Sequence, residues 1–315
     1  MVNSSFSTEC PSLQIAWDST SIGLLKECPR KYYLSMLANA GAGYAPRHES
    51  VHLIFGLHYH AALEQYDHER AAGKDHQSAT IAAVRRALVD TWDPVLQRPW
   101  LSDDGNKNRY TLIRSVVWYL EQFADDTVKT TILANGKAAV ELSFRFESDY
   151  TSFTGEKFWL CGHLDRMGEF HGQQYILDRK TSKNTIGQDF FQKYSPDNQF
   201  TLYSFAAKVV YALPTVGLIV DAAQIAVTFT RFQRGIVQRT PEQLEEWYKD
   251  LGFWLGIAQH CAKSGDWPMN DKSCGLYGGC PFRDICGKSP SVREQWLKAG
   301  FHTRVWDPLK VRGDV

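Results

Sequence analysis

The chain has 315 residues, 43% of them hydrophobic and 22% charged, and its 35 Lys and Arg balance 35 Asp and Glu. That composition belongs to a folded protein with a sizeable core; it excludes a disordered chain, a fibre and a polycation that coats nucleic acid by bulk charge. No stretch nears the roughly 20 uncharged apolar residues of a membrane helix, and the start MVNSSFSTEC lacks the pattern of a secretion signal, so a cytoplasmic protein is expected.

Helices dominate the first part of the chain. Ser19 or Thr20 caps a helix through Leu24 and Leu25, and a second covers Arg30 to Leu37 after Pro29. Gly41 to Pro46 reads as a loop. Leu53, Leu57, His60 and Glu64 then share one helical face. Further helices are expected from Ala79 to Thr91 and from Tyr110 to Leu133, around a loop from Asp93 to Asn108.

The pattern changes at Gly136. Ala139 to Phe146 alternates as a strand does, and Phe158 to Phe170 and Tyr175 to Lys180 form a hairpin around His171 to Gln174. Ser195-Pro196-Asp197 opens an amphipathic helix from Asn198 to Leu213. Strands follow near Ala223 to Phe232 and Ile236 to Arg239, and Thr240-Pro241-Glu242 starts a helix to about Lys263. This order predicts an α/β fold: a mixed central sheet flanked by helices, a helical N-terminal block and a C-terminal cysteine loop.

GHLDR (Gly162 to Arg166) and ILDRKT (Ile176 to Thr181) each end an apolar run with an aspartate. A buried carboxylate is costly without a partner. Asp178 and Lys180 are two apart on a strand and share a face. Alone they read equally well as a buried ion pair with Asp165 in a turn. An acidic residue 13 positions upstream, across a hairpin, favours a hard-cation site with a lysine beside it.

Here the chain resembles the PD-(D/E)XK nuclease superfamily, in its RecB-like branch with the AddB-type and CRISPR-adaptation exonucleases. SIGLLKECPRKYYL (Ser21 to Leu34) is similar to that branch's N-terminal cysteine segment, and FGLHYHAALE (Phe55 to Glu64) to its GxxxH helix, pairing Gly56 with His60. GHLDR and LDRKTS resemble the two acidic strand motifs, and QFTLY (Gln199 to Tyr203) the QxxxY helix; Leu164 stands where proline is often found. The resemblance implies one nuclease domain over 1–315, with a helical part (1–135), a core (136–240), a helix and cysteine loop (241–290) and a tail (291–315).

It also implies roles. His60, Asp165, Asp178 and the Arg179 carbonyl would hold Mg²⁺ or Mn²⁺, and Lys180 would orient or activate water. Gln199 and Tyr203 would position Lys180 or the DNA backbone, and Glu141 would be an accessory acid. His58, two residues from His60, cannot face the same way, and Glu64 reads as solvent-facing.

Seven cysteines, unevenly spaced, argue against a secreted disulfide scaffold and for a soft-metal site. Cys274, Cys280 and Cys286 crowd a loop rich in glycine and proline. The resemblance supplies Cys28 as fourth ligand to a 4Fe–4S cluster, with three residues more than usual between Cys274 and Cys280; Zn²⁺ and free thiols are the alternatives. Cys10 lies in a polar stretch, and Cys161 and Cys261 read as buried thiols.

The implied activity is hydrolysis of DNA, as an exonuclease on single-stranded ends. A non-catalytic DNA-binding or assembly module, an endonuclease and a hydrolase of small nucleotides are the rivals. A helicase, recombination proteins or CRISPR-adaptation proteins are open as partners, as is an oligomer; no membrane is expected. Lys26, Arg30, Lys31, Arg166, Arg179, Lys183, Arg231, Arg234 and Arg239 are the basic residues that could meet phosphate, while Tyr32, Tyr33 and Phe190 to Tyr194 read as core.

Overall fold

Strand Gln173–Ser182 runs antiparallel to Lys157–Phe170 on one side and parallel to Gly217–Ile225 on the other, so the sheet is mixed. Its middle, from Tyr175 to Arg179, is buried on both faces, which is why Tyr175, Ile176 and Leu177 run apolar without alternation. In the computed structural model, which describes residues 5–213 and 215–310, the chain divides into two compact units. One holds residues 49–142 and 163–239; the other holds 5–48, 143–162 and 240–310.

In the first unit, Thr230–Val237 pairs antiparallel with Gly217–Ile225, and Lys129–Thr130 pairs with Gly168 and Glu169. Helices Val51–Ala71, His76–Asp90 and Arg109–Gln122 pack Phe55, Tyr59, Leu63, Leu112, Val116 and Leu120 against Ala223 and Ile225 of the sheet. Leu53 and Leu57 are not part of that core: they are 72% and 62% exposed. The phase of the helix is set by Phe55, Tyr59, Ala62 and Leu63 instead.

Two expected boundaries shift. The helix from Arg109 ends at Gln122, not Leu133, because Asp126 accepts the Val128 amide and both ends of the Arg234 guanidinium, which turns the chain toward the sheet. The strand expected near Ala223 to Phe232 is in fact a hairpin. Its turn is closed by the Ala226 amide on the Phe229 carbonyl and held by Arg114, which donates to the carbonyls of Ala226 and Val227. Gly217–Ile225 is buried at every position, so it carries no alternation to mark its start.

In the second unit, Ala16–Trp17 lies parallel to Trp159 and Leu160. Asp18 caps helix Ser19–Glu27, in a capping box with Ser21, rather than Ser19 or Thr20. The short helix after Pro29 passes at Tyr33–Leu37 into a π-turn. Gly41 to Pro46 is only partly a loop: Tyr44–Pro46 pairs with Phe301–Thr303, so the tail carries a strand, preceded by helix Pro290–Gly300. A side chain at Gly43 would meet the Ser35 carbonyl oxygen at 2.0 Å, which only glycine avoids. Helix Pro241–Ser264 starts on Thr240 and stops at Gly265, whose φ of 75° is left-handed. Among the described residues no helix is long and apolar enough to cross a membrane.

Candidate active site

Four elements of the 49–142 and 163–239 unit bring the expected residues together. Arg166 pairs with Leu177 in the hairpin, so Asp165 and Asp178 sit at successive positions of facing strands and the same side. Asp165 Oδ2 accepts the Arg179 amide at 2.9 Å and lies 3.2 Å from His60 Nδ1, on helix Val51–Ala71. Lys180 Nζ is 2.6 Å from Asp178 Oδ2 and donates to Gln199 Oε1 at 3.0 Å. Gln199 Nε2 donates in turn to the Tyr203 hydroxyl at 2.7 Å, one turn along helix Asn198–Val209, which is capped by Asp197. Two runs of polar contacts, His60 to Asp165 to the Arg179 amide and Asp178 to Lys180 to Gln199 to Tyr203, thus meet on residues 178–180 of one strand.

The electrostatics of the two carboxylates differ. Burial alone would raise both. At Asp165, His60, Lys180 and the Arg179 amide overcome it and hold the group well below the usual carboxylate range. At Asp178, burial wins: with Asp165 beside it, and against the pull of Lys180, its pKa is pushed up to about 6. Burial opposes the Lys180 ammonium, yet Asp178 and Asp165 raise its pKa, so it is charged.

A family model of the PD-(D/E)XK nuclease superfamily matches residues 19–287. The chain belongs to that superfamily. Among solved structures, the chain is similar to a "Putative exonuclease" from Eubacterium rectale, at 11% identity and a TM-score of 0.49, covering 94% of this chain and 97% of that one. It is also similar to SSO0001, at 13% identity and a TM-score of 0.28, over 47% of this chain and 58% of that one. No curated protein matches the sequence.

Nucleases of this superfamily generally use Mg²⁺ or Mn²⁺. Among the described residues no group of three or more His, Cys, Asp or Glu is arranged to hold a metal as it stands. The donor set nevertheless fits a hard cation. Asp178 Oδ2 is buried and, although close to Lys180, makes no directed hydrogen bond, which leaves it open to a further positive partner. Glu141 lies at the start of strand Val140–Thr151 with a left-handed φ of 49°, and its charge is felt at His68. Glu64 is 3.8 Å from His68, and His58 turns instead to Trp100.

Several basic residues expected to meet phosphate are committed elsewhere. Arg166 and Arg179 contact Asp67, and Arg234 joins Asp126 and Asp221. Arg239 bonds Thr201 and the Tyr194 carbonyl, Arg30 the Trp267 carbonyl, and Lys31 Glu27. Lys26 lies over the Trp254 ring. Tyr32, Phe190 and Tyr194 are buried, and Tyr33 stacks on Trp267. Asp67, Asp126 and Asp221 carry no motif. The one signal for Asp67 is its place seven residues after His60, two turns along the same helical face.

In the other unit, Cys28, Cys274, Cys280 and Cys286 line one cavity of about 20 Å³, with Asn270, Phe282 and Lys31. The Asn270 amide donates to Cys28 Sγ at 3.3 Å. Burial raises the thiol pKa of Cys280 and Cys286, against Lys31 and Arg30 respectively. Four sulfurs around one space are the donor set of zinc and iron–sulfur centres. Cys161 and Cys261 are buried apart from this group, and Cys10 is partly exposed.

Proposed function

We propose that the chain is a metal-dependent deoxyribonuclease that degrades single-stranded DNA from its ends. His60, Asp165, Asp178 and the Arg179 carbonyl hold Mg²⁺ or Mn²⁺ in this reading. The observation that carries it is the buried Asp178–Lys180 pair beside the His60–Asp165 contact. When bound, such a cation lowers the pKa of the water it holds and neutralises charge building on the phosphate.

The chain's own groups do the rest. Lys180, kept charged by two carboxylates, orients the attacking water or a phosphate oxygen and is not the base. Gln199 fixes the Lys180 ammonium, and Tyr203 fixes Gln199. The preference for ends and single strands rests on the resemblance to RecB-like exonucleases. Digestion of end-labelled linear and of circular single-stranded DNA with Mn²⁺ tests it: end-labelled products from linear DNA with circles intact support the reading, and cut circles replace it with an endonuclease. DNA bound but not cut under any divalent metal would leave a binding module.

We assign the four cysteines to a 4Fe–4S cluster. Their convergence on one cavity supports a metal centre, and the resemblance supports iron–sulfur. A second reading has its own support, because about 20 Å³ is room for one water-sized body, which suits a single Zn²⁺ without rearrangement. Protein purified without oxygen should be brown and contain iron and sulfide; colourless protein with one zinc per chain selects the second reading.

A further inference from the structure

The strand that carries Asp178 and Lys180 on one face sends the Arg179 side chain to the other, where it is 3% exposed. There Arg179 Nη2 meets Asp67 Oδ2 at 2.5 Å. Arg166 Nη1 lies 3.4 Å from Asp67 Oδ1 and 3.6 Å from Asp126, Arg234 bridges Asp126 and Asp221, and Tyr119 donates to Asp221. Arg166, Arg179, Asp67 and Asp221 are thus buried on that side, with Arg234 and Asp126 half-buried at the end of the same network.

Removing such groups from water is expensive. Apolar side chains of similar volume often give equal or better stability than a buried ion pair. Stability is therefore a poor account of the Asp67–Arg179 pair, and its geometry offers a better one. Asp67 and His60 lie two turns apart on one face of helix Val51–Ala71. Residue 179 is tied twice: its amide to Asp165, which touches His60, and its guanidinium to Asp67. One residue between Asp178 and Lys180 therefore fixes both the second carboxylate and the helix that brings the imidazole.

We propose that Asp67 and the Arg179 side chain are positioning residues, a buried clamp that sets the His60 helix against the two carboxylate strands and so tunes affinity for the divalent cation. Neither side chain touches the cation or the substrate. The proposal rests on the nuclease reading of the site.

The test is Mn²⁺ binding by calorimetry to metal-free protein without DNA, alongside thermal melting. Asp67→Asn should lower both stability and Mn²⁺ affinity, since it strands Arg179. The Asp67→Leu/Arg179→Met double variant should recover most of the stability yet still bind Mn²⁺ about 10- to 100-fold more weakly, as loss of outer support to a metal site does. Should the double variant not fold, Arg179→Lys serves in its place: it keeps the charge but not the guanidinium's reach, and is expected to weaken Mn²⁺ at a near-native melting temperature. Asp221→Asn is the control, because it breaks the far end of the same network and should cost stability with Mn²⁺ affinity within about twofold of the wild type.

Wild-type affinity in the double variant or in Arg179→Lys overturns the proposal. So does an equal loss of affinity in Asp221→Asn, which would mean general loosening. Failure of the nuclease reading looks different: the wild type itself would take up no Mn²⁺, or His60→Ala would bind it unchanged.

Discussion

The carboxylate centre is largely buried and the cysteine centre half-buried, and they meet the cost of burial in different ways. Around Asp165 and Asp178 each carboxylate has a polar partner beside it: His60 and the Arg179 amide at Asp165, and the Lys180 ammonium at Asp178. That centre is assembled by protein contacts before any metal enters. The cysteine cavity has four thiols, a single backbone donor to Cys28 and two thiol pKa values raised by burial. Its segments are tied by hydrogen bonds such as those from Asn270 and Ser273 to the Glu27 carbonyl and from the Cys280 amide to the Cys274 carbonyl, while the sulfurs themselves have few partners, so a bound metal is expected to stabilise it directly.

That contrast breaks first at Asp178. Asp178→Ala should reduce Mn²⁺-dependent digestion of single-stranded DNA by about 10³-fold or more, with a melting temperature within a few degrees of the wild type. Loss of folding together with activity would erase the distinction. Cys28→Ser should do the opposite: lose the bound metal and melt roughly 5–10 °C lower, while residual activity per folded molecule stays close to normal.

Lys107 sharpens the point about paired charge. Lys180 has two carboxylates and an elevated pKa. The buried Lys107 ammonium has Thr181 Oγ1 at 3.0 Å and, among the described residues, no carboxylate in ion-pair contact, and burial lowers its pKa to about 8 against the pull of Asp104. The folded state therefore releases this proton more easily than the unfolded chain, so Lys107 destabilises below pH 8 and the penalty fades as pH rises toward 10.5. Lys107→Met should be more stable than the wild type at pH 7, by up to about 3 kcal/mol, and the gap should close by pH 10 in paired denaturant titrations. A constant gap across that range would refute the assignment. The smallest effect is expected from Gln199→Ala, about 10-fold in kcat with little change in KM, because Gln199 acts through Lys180.

Much of this was legible before folding. The proposed site residues sit in short motifs with local spacing: Asp178 and Lys180 on one strand, Gly56 and His60 on one helix, Gln199 and Tyr203 one turn apart. Spacing of that kind is fixed by the geometry of strand and helix, and the structure joins His60 to Asp165 and Asp178 through Lys180 and Gln199 to Tyr203. The buried ion network was not legible. Arg166, Arg179 and Arg234 could be read as meeting phosphate or as a solvated surface, because an arginine in sequence looks alike whether solvated or paired. Their partners Asp67, Asp126 and Asp221 come from a helix, a loop and another strand.

The strand errors have the same origin. Alternation marks a strand with one wet face, and Gly217–Ile225 has none. Likewise the end of helix Arg109–Gln122 depends on Asp126 reaching Arg234, 108 residues away. Local pattern alone therefore determined the α/β class, the hairpin and the identity of the acidic pair and its lysine, because backbone periodicity fixes which neighbours share a face. Which arginines are paired, where buried strands begin and that four distant sulfurs share a cavity were decided by tertiary structure, because burial and charge pairing depend on what the rest of the chain brings near.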